Sequence, residues 1–232
     1  MTTILAIETS SERASVALLY GGTLINRALP GSGAAHSGNV LPTIRQLMAE
    51  AELGLSALDG IAFGRGPGAF TGVRLACGVA QGLALGVDRP VAAISSLEAL
   101  ALPAAREGAA LYCAMDARMN EAYIGRFVVN GGRLVAEGEV VCVPPAEAPV
   151  PATGGWIGLG TAFAAYAGHW PQALALQVSM RETQDWPLAE DVARLAAAQP
   201  DCWQDAALAA PEYVRNRVAL TVAERLAQGG RA

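Results

Sequence analysis

Short apolar runs separated by glycine or polar turn residues dominate this chain, and such runs are typical of β-strands. The first run, at 4–7, ends in an acidic and hydroxyl-rich turn, and Gly21-Gly22 separates the next two runs, at 14–20 and 23–28. Glycine pairs between apolar runs favour tight hairpins. We therefore predict three strands joined as hairpins at the start of the chain.

Helical spacing follows this hairpin region. Apolar residues recur three or four positions apart over 40–51 and again over 73–85, and short apolar strands are predicted at 60–63 and 91–94. A serine at 95 or 96 is a suitable N-cap for a further helix at 97–106. Strands that alternate with helices predict an α/β protein whose sheet has mixed strand directions.

The same order of elements begins again at residue 110. An apolar strand at 111–118 is followed by a partner strand at 121–129, a turn at 130–132 and a third strand at 133–143. This is an internal repeat of structure, and two such halves resemble the two-lobed actin/Hsp70/sugar-kinase-like (ribonuclease H-like) fold, with mixed sheets flanked by helices. The predicted domains are an N-terminal, partner-binding lobe at 1–105, a C-terminal lobe at 106–216, and a helical tail at 217–232, for which we expect either packing back on the first lobe or fraying.

The rest of the second half carries shorter elements. The pattern predicts a strand at 156–160, helices at 161–167 and 187–198, and an extended segment at 211–216. Within the alanine-rich helix, Asp191 and Arg194 are spaced to form an i,i+3 ion pair.

Composition narrows the classes of function. The chain has 232 residues, 53% of them hydrophobic, and its 16 basic residues, all arginine, face 21 acidic residues, for a net charge of −5. Strong binding of nucleic acid by the chain alone is not expected, because phosphate binding relies on clustered cations. Free, buried thiols are predicted at Cys77, Cys113, Cys142 and Cys202, which lie apart in apolar settings. The start of the chain shows no signal peptide, so we expect a cytoplasmic protein.

The most unusual stretch is the glycine loop at 64–74 (GRGPGAFTGVR), which joins a strand to a helix. Gly66 and Gly68 permit close approach of another backbone segment, and a helix start flanked by Arg65 and Arg74 favours an anion. The loop nevertheless matches neither the P-loop, which needs a lysine, nor the dinucleotide fingerprint. A tight turn that packs a strand against a helix is the favoured interpretation, and a phosphate site is the alternative.

The turn after the first strand is a second candidate for phosphate chemistry. Its hydroxyls and backbone N–H groups can hold phosphate and its acid can orient a metal-bound water, whereas the alternative is an ordinary hairpin turn. Thr71 is predicted as the N-cap of the helix after the glycine loop. The residues predicted to face a nucleotide or phosphate are Glu8, Thr9, Ser10, Gly66, Gly68, Thr71, Gly72 and Arg74.

His36 precedes the first predicted helix. A histidine pair for a metal would need a second histidine at position 40, where the chain has Val40. A lone histidine at a helix start is more often a cap or a hydrogen-bonded group than a metal ligand. No metal site is therefore assigned.

Four segments together resemble one protein family. They are residues 4–10 (ILAIETS), the glycine loop with 81–84 (QGLA), residues 116–123 (DARMNEAY) and residues 211–216 (PEYVRN). On these segments the chain resembles the TsaB (YeaZ) family, the bacterial partner subunit in the synthesis of N6-threonylcarbamoyladenosine (t6A) at position 37 of tRNAs that read codons beginning with A. The resemblance runs to about residue 216 and is least informative over 143–208.

The resemblance implies a fold related to TsaD, the glycoprotease-like subunit that carries the metal and transfers the threonylcarbamoyl group. It implies a non-catalytic partner that binds and activates TsaD, with TsaE joining the assembly and tRNA bound only through the complex. It implies no cofactor of its own, with ATP or ADP a candidate at the subunit interface, and no membrane association. Without TsaD, the same face is expected to form a homodimer.

Helices of the first lobe are the expected partner or dimer interface. The resemblance places His36 where TsaD has the first histidine of its metal pair, with Val40 in place of the second. Glu8 departs from the family pattern, in which aspartate is common, and this weakens an assignment of ATP hydrolysis. The expected interface residues are His36, Val40, Leu41, Ile44, Leu47, Met48, Val73, Gly78, Gln81 and Gly82.

Two other classes of function compete with this interpretation. A stand-alone ATP-binding enzyme, an ATPase or small kinase of the same superfamily, is the alternative, because the acidic turn and the glycine loop suit phosphate. Peptidase activity is the third class, but the two histidines lie in predicted loops without a paired nucleophile.

Overall fold

A six-stranded mixed sheet is built around the first hairpins. The computed structural model describes residues 2–31, 35–180 and 185–215, so the predicted tail at 217–232 lies outside the described residues. Strands β1 (Ile4–Glu8), β2 (Ser15–Tyr20) and β3 (Thr23–Ala28) are antiparallel neighbours, as predicted. On the other side of β1, strands β4 (Gly60–Gly66) and β5 (Val91–Ser95) continue the sheet in parallel, and a late strand, β12 (Trp203–Gln204), pairs antiparallel with β5.

Helices cover both faces of this first sheet. Helix α1 (Ala35–Glu50) and helix α2 (Phe70–Val87) pack on the face that carries Leu5 and Ile7 of β1. Helix α6 (Ala189–Ala198) packs on the opposite face, against Ile4 and Ala6. Because successive strand residues point to opposite faces, a strand buried on both sides becomes a continuous apolar run, which is what β1 shows.

The second sheet repeats the plan of the first. Its strands are β6 (Ala110–Asp116), β7 (Ala122–Asn130), β8 (Arg133–Ala136), β10 (Trp156–Leu159) and β11 (Val178–Met180). Their order is β11-β10-β6-β7-β8, and the order in the first sheet, apart from β12, is β5-β4-β1-β2-β3 with the same directions. The expected internal repeat and fold class are therefore confirmed.

The single third strand predicted over 133–143 is two strands in the structure. After β8 the chain turns at Gly138, whose φ of +84° is in the left-handed region, and β9 (Val141–Val143) then pairs with a different part of β7. The helix predicted at 97–106 also ends early, as α3 (Ser96–Ala101), before a 3-10 turn that contains Pro103. The small helices α4 (Ala162–Ala165) and α5 (Gln172–Gln177) complete this half.

The predicted boundary between the lobes, at residues 105 and 106, stays a proposal, and two later elements are reassigned to the first lobe. Helix α6 and strand β12 lie within the range 106–216 that we assigned to the second lobe, yet both pack on the first sheet. Helix α3 packs against the strands of the second sheet through Leu97 and Leu100. The chain thus crosses between the two sheets more than once.

All four cysteines are free, as predicted, and Cys77 and Cys113 are buried. The predicted burial is wrong for Cys142 and Cys202, which are half-buried.

Candidate functional site

The glycine loop and the turn after β1 meet backbone to backbone. Thr9 Oγ1 donates a hydrogen bond to the carbonyl oxygen of Gly72 (2.6 Å), and the N–H of Ala69 donates to the carbonyl oxygen of Ser10 (2.7 Å). A β carbon at Gly68 would lie 2.5 Å from the carbonyl oxygen of Ser10, and one at Gly72 would overlap the carbonyl oxygen of Thr9. The absence of side chains at these glycines therefore lets the turn after β1 pack directly on the loop. This supports the tight-turn interpretation of the loop.

Glu8 faces the protein interior. It is fully buried, and its carboxylate accepts hydrogen bonds from the N–H of Ser10 (2.6 Å) and from Ser96 Oγ (2.8 Å). Burial raises the pKa of this carboxyl group, while the hydrogen bonds from Ser10, Ser96 and Thr9 oppose that rise. The side chain ties the end of β1 to the start of α3.

The helix after the loop begins at Phe70, and its N-cap is Ala69 without a side-chain hydrogen bond. The predicted N-cap, Thr71, is wrong: it lies exposed within the first turn. Gly66 has a φ of +106°, and a β carbon there would lie 3.1 Å from the carbonyl oxygen of Glu212. The loop is thus enclosed by protein on this side as well.

Arg74 contacts two aromatic rings that also pack against each other. Its guanidinium carbon lies 3.8 Å from the ring centroid of Phe70 and 5.5 Å from that of Tyr213, and its Nε donates a hydrogen bond to the Tyr213 hydroxyl (2.6 Å). Cation–π contacts of this kind hold the side chain against the surface of the protein.

A cleft of about 590 Å³ separates the two lobes. A volume of this size suits a small ligand. Of the eight residues predicted to face a nucleotide, Ser10 and Gly68 line it, whereas Glu8, Thr9, Gly66, Thr71, Gly72 and Arg74 are placed elsewhere. The lining residues are 10–12, 68–70, 115–118, 123, 161, 164–165, 186 and 212–215.

The arginines that line the cleft are paired with carboxylates. Arg118 forms ion pairs with Glu12 of the first lobe and with Asp116 (3.2 Å), and Arg215 forms one with Glu121 (2.6 Å). The Tyr166 hydroxyl donates to Asp116 Oδ1 (2.6 Å), and burial together with that acid raises the pKa of Tyr166 to about 12. The cleft therefore presents guanidinium groups that are already neutralised.

The wall of the second lobe contains a left-handed turn that sequence reasoning missed. Arg118, Met119 and Asn120 have φ values of +60°, +54° and +60°. Each non-glycine residue in this region costs roughly 1–2 kcal/mol, with asparagine the best tolerated. Asn120 was the one local signal, since no glycine marks the turn.

Most of the expected interface residues of α1 face the protein's own sheet. Helical spacing correctly identified their apolar stripe. The stripe, however, packs on the first sheet and not on a partner protein, because both faces of that sheet are apolar and must be buried. His36 is also buried, with Nε2 3.2 Å from the carbonyl oxygen of Gly31. The buried members of the set are His36, Val40, Ile44, Leu47, Met48 and Val73.

The remaining expected interface residues lie on an outer surface of α1 and α2. Leu41 is 46% exposed, Gly78 and Gly82 are exposed, and half-buried Gln81 donates to the carbonyl oxygen of Ala206 (2.9 Å). Leu85, which is 59% exposed, continues this surface. We call the set Leu41, Gly78, Gly82, Leu85 and Gly86 the outer face.

Helix α2 is mostly apolar, with Arg74 as its one charged residue, and only part of it is covered by the rest of the protein. Its mean hydropathy is 1.4 over 18 residues, and 28% of the helix is buried. Length and composition alone would allow it to cross a membrane, but Ala76, Cys77, Ala80 and Ala84 belong to the core beneath the first sheet. We interpret it as a core helix with an open apolar side. Within the described ranges, no group of three or more histidine, cysteine or acidic side chains is placed to hold a metal ion.

Two lobes of equal topology around a cleft define a protein of the actin/Hsp70/sugar-kinase type. The protein-family model for TsaD, tRNA N6-adenosine threonylcarbamoyltransferase, matches residues 20–223. Among curated relatives, the Escherichia coli tRNA threonylcarbamoyladenosine biosynthesis protein TsaB is 34% identical over 93% of this chain and 96% of its own length. The Haemophilus influenzae protein of that name is 48% identical over 54% of both chains.

Solved structures agree with these relatives. YeaZ from Pseudomonas aeruginosa has a TM-score of 0.82 and 40% identity, covering 92% of this chain and 100% of its own. A second Pseudomonas aeruginosa structure, of a protein similar to peptidase YEAZ, has a TM-score of 0.84 and 40% identity over 93% and 100% of the two chains. The chain belongs to the TsaB (YeaZ) family, which confirms the resemblance seen in the sequence.

Proposed function

We propose that this chain is a non-catalytic subunit of t6A biosynthesis that binds and activates a TsaD protein through its outer face. The relatives named TsaB support the pathway, and the match to the TsaD family model supports a partnership between two similar folds. The observation that carries the mode of action is the open apolar side of α2. In this proposal TsaD carries out the transfer, TsaE joins the assembly, and tRNA contacts this chain only within the complex.

The outer face has the chemistry of a subunit interface. A β carbon at Gly78, Gly82 or Gly86 would meet nothing within 4 Å, so the backbone of α2 is open to close approach by another helix. Leu85 lies on the same side of α2 as these glycines by helical spacing, and it and the exposed Leu41 of α1 would lose their contact with water on binding. Small residues flanked by leucines let two helices pack at short distance. The same surface would pair with itself in the absence of TsaD.

The cleft supports a non-catalytic role. Phosphoryl transfer depends on cations positioned to neutralise the charge of the transferring group. Both arginines of the cleft already carry carboxylate partners, Arg118 with Glu12 and Asp116, and Arg215 with Glu121. Glu8, the acid expected to orient a water molecule, is buried behind the turn. The stand-alone ATP-binding enzyme therefore has weaker support than the partner subunit.

A pair of matched substitutions tests the outer face. Leu85 lies on α2, and Leu176, which is 81% exposed, lies on α5 of the second lobe. Leu85→Arg would bury an unpaired charge in the complex, and we expect its affinity for TsaD to fall at least about 100-fold by calorimetry. Leu176→Arg makes the same chemical change elsewhere and should bind within about twofold of the wild type.

Formation of t6A is the functional measurement. The chain, its TsaD, TsaE, the adenylate-forming enzyme and tRNA are combined, and t6A is measured with wild type, with Leu176→Arg, with Leu85→Arg and without the chain. We expect product with wild type and with Leu176→Arg but not in the other two reactions. Equal product without the chain would remove the activating role, and normal binding by Leu85→Arg would move the interface to another surface.

A further inference from the structure

Residues 211–215 contact both lobes of the protein. At one end, the N–H of Glu212 donates to the carbonyl oxygen of Arg65 (2.8 Å), and its carboxylate forms an ion pair with Arg65 Nε (2.9 Å). Tyr213 then stacks on Phe70, with ring centroids 5.8 Å apart, and accepts the hydrogen bond of Arg74. These contacts attach the segment to the end of β4 and to the first turn of α2.

The other end of the segment is attached to the second lobe. Val214 packs against the core beneath the second sheet. Arg215 forms its ion pair with Glu121 and donates to the carbonyl oxygens of Ala117 (2.8 Å) and Arg118 (3.3 Å). The side chain of Arg215 is 17% exposed, and its hydrogen bond to Ala117 is partly buried.

We propose that residues 211–215 form an interlobe strap, which fixes the two lobes relative to each other and sets the width of the cleft. Arg215 is its anchor, because it holds the left-handed turn at 118–120 in place. That turn presents Arg118 to Glu12 of the first lobe and so makes a second link across the cleft. Loss of Arg215 would release the turn and weaken both links together. The segment PEYVR (211–215) is one of the four that carry the family resemblance, and it is distant from the glycine loop in the sequence. The strap gives it a role beside that loop in the fold.

The anchor contacts the turn with both terminal nitrogens of its guanidinium group. Nη2 of Arg215 lies within hydrogen-bond distance of one carboxylate and two backbone carbonyls, and Nη1 lies 3.5 Å from Met119 Sδ. The planar guanidinium group places both nitrogens against the turn at once, whereas a lysine ammonium is a single compact charge on a flexible stem. Three successive left-handed residues need such outside support, since the backbone alone disfavours them.

Hydrogen exchange of the isolated chain, followed residue by residue by NMR, tests the strap. The N–H groups of Ala117, Glu121 and Glu212 report on it, because each donates to a carbonyl oxygen within the turn or across the strap. In Arg215→Gln we expect all three to exchange at least about tenfold faster, while the N–H groups of β1 and β4 keep their protection. Arg133→Gln, an exposed arginine of β8, is the control and should leave all three unchanged.

A variant at the opposite end distinguishes a strap from two independent contacts. Glu212→Gln removes the ion pair with Arg65 and leaves Arg215 untouched. If the two ends of the strap are mechanically linked, the N–H of Glu121 should exchange faster in Glu212→Gln as well. If the two ends are independent contacts, the N–H of Glu121 should exchange at the wild-type rate in this variant.

Unchanged exchange of the N–H groups of Ala117 and Glu121 in Arg215→Gln would overturn the proposal. If Arg215→Gln does not fold, Glu121→Gln removes the same ion pair. The same increase in exchange rate is then expected at the N–H groups of Ala117, Glu121 and Glu212. The measurement needs no partner protein, so its result is independent of the proposed function.

Discussion

The carboxylate of Glu8 occupies the space that a side chain at Gly64 would need. The two residues directly follow the paired residues Ile7 of β1 and Phe63 of β4, and a β carbon at position 64 would overlap Glu8 Oε2 and lie 2.5 Å from the carboxyl carbon. Hydrogen bonds from Ser10 and Ser96 hold that carboxylate in place. The first glycine of the glycine loop thus makes room for a buried acid.

This contact predicts that Gly64→Ala destabilises the protein. The added methyl group must displace a fully buried side chain, and overpacking of this kind costs about 1–3 kcal/mol. Glu8→Asp draws the carboxylate back by one methylene and should relieve the overlap. Chemical denaturation of the two single variants and the double variant measures the coupling, which we expect to be about 1 kcal/mol or more in favour of the double variant. Simple additivity would show that the two residues do not compete for space.

Two glycines of α2 should respond to alanine with opposite signs. A β carbon at Gly72 would overlap the backbone oxygen of Thr9, which cannot move without shifting the turn, so Gly72→Ala should cost about 1–3 kcal/mol. A β carbon at Gly78 meets nothing within 4 Å. Gly78→Ala should therefore stabilise the helix by up to about 1 kcal/mol.

Gly72→Ala also separates the two interpretations of the glycine loop. If the loop held phosphate, this variant would differ from the wild type in calorimetric titration with ATP, in addition to its loss of stability. A loss of stability without that difference supports a junction between chain segments.

Periodicity predicted the elements well because it depends on local burial. The strands at 4–7, 14–20 and 23–28 appear with small shifts at their ends. The helix predicted at 40–51 also appears, but it begins at Ala35 and so contains His36, which we had placed before the helix. Periodicity could not say what covers an apolar stripe. Val40, Ile44 and Leu47 form such a stripe, and it faces the protein's own sheet because β1 and its neighbours are buried on both sides.

The cleft could not be predicted from the sequence, because residues far apart in the chain build it. Its walls bring residue 10 to residue 68, and residue 118 to residue 215. The motifs at 8–10 and 66–72 suggested a site, but the structure uses most of those residues to pack the turn on the helix. The left-handed turn carries no glycine, so nothing in its sequence shows that outside contacts hold it.

The end of α2 offers a stabilising substitution. Asp88 caps the helix in the left-handed conformation, with φ +53° and ψ +57°, and its N–H donates to the carbonyl oxygen of Ala84. Glycine adopts this conformation without strain, and removal of a negative charge from a helix C-terminus is also favourable. Asp88→Gly should raise the free energy of unfolding by about 1 kcal/mol, or the Tm by roughly 2–4 °C. Asp88→Asn, which removes only the charge, should give a smaller gain in the free energy of unfolding. If neither variant gains stability, this account of the helix end is contradicted.

A buried acid on α6 should make stability depend on pH. Asp191 is 1% exposed, and its Oδ1 lies 3.1 Å from Arg194 Nη1. This is the i,i+3 ion pair that the sequence predicted. Burial raises its pKa to about 6, with Glu190 adding to the rise and Arg194 opposing it. The folded chain therefore holds this proton more tightly than the unfolded chain, where the value is 3.8.

The direction of the effect follows from proton binding in the two states. The contribution of Asp191 to stability is fully present below pH 3.8 and is lost as the pH rises through about 6. Asp191→Asn removes the titration, so the free energy of unfolding of this variant relative to wild type should become more favourable, by up to about 3 kcal/mol, between pH 4 and pH 7. Urea denaturation at several pH values measures the difference, with Asp201→Asn, an exposed acid, as the control. A constant difference across that range would show that Asp191 has the same affinity for its proton in both states.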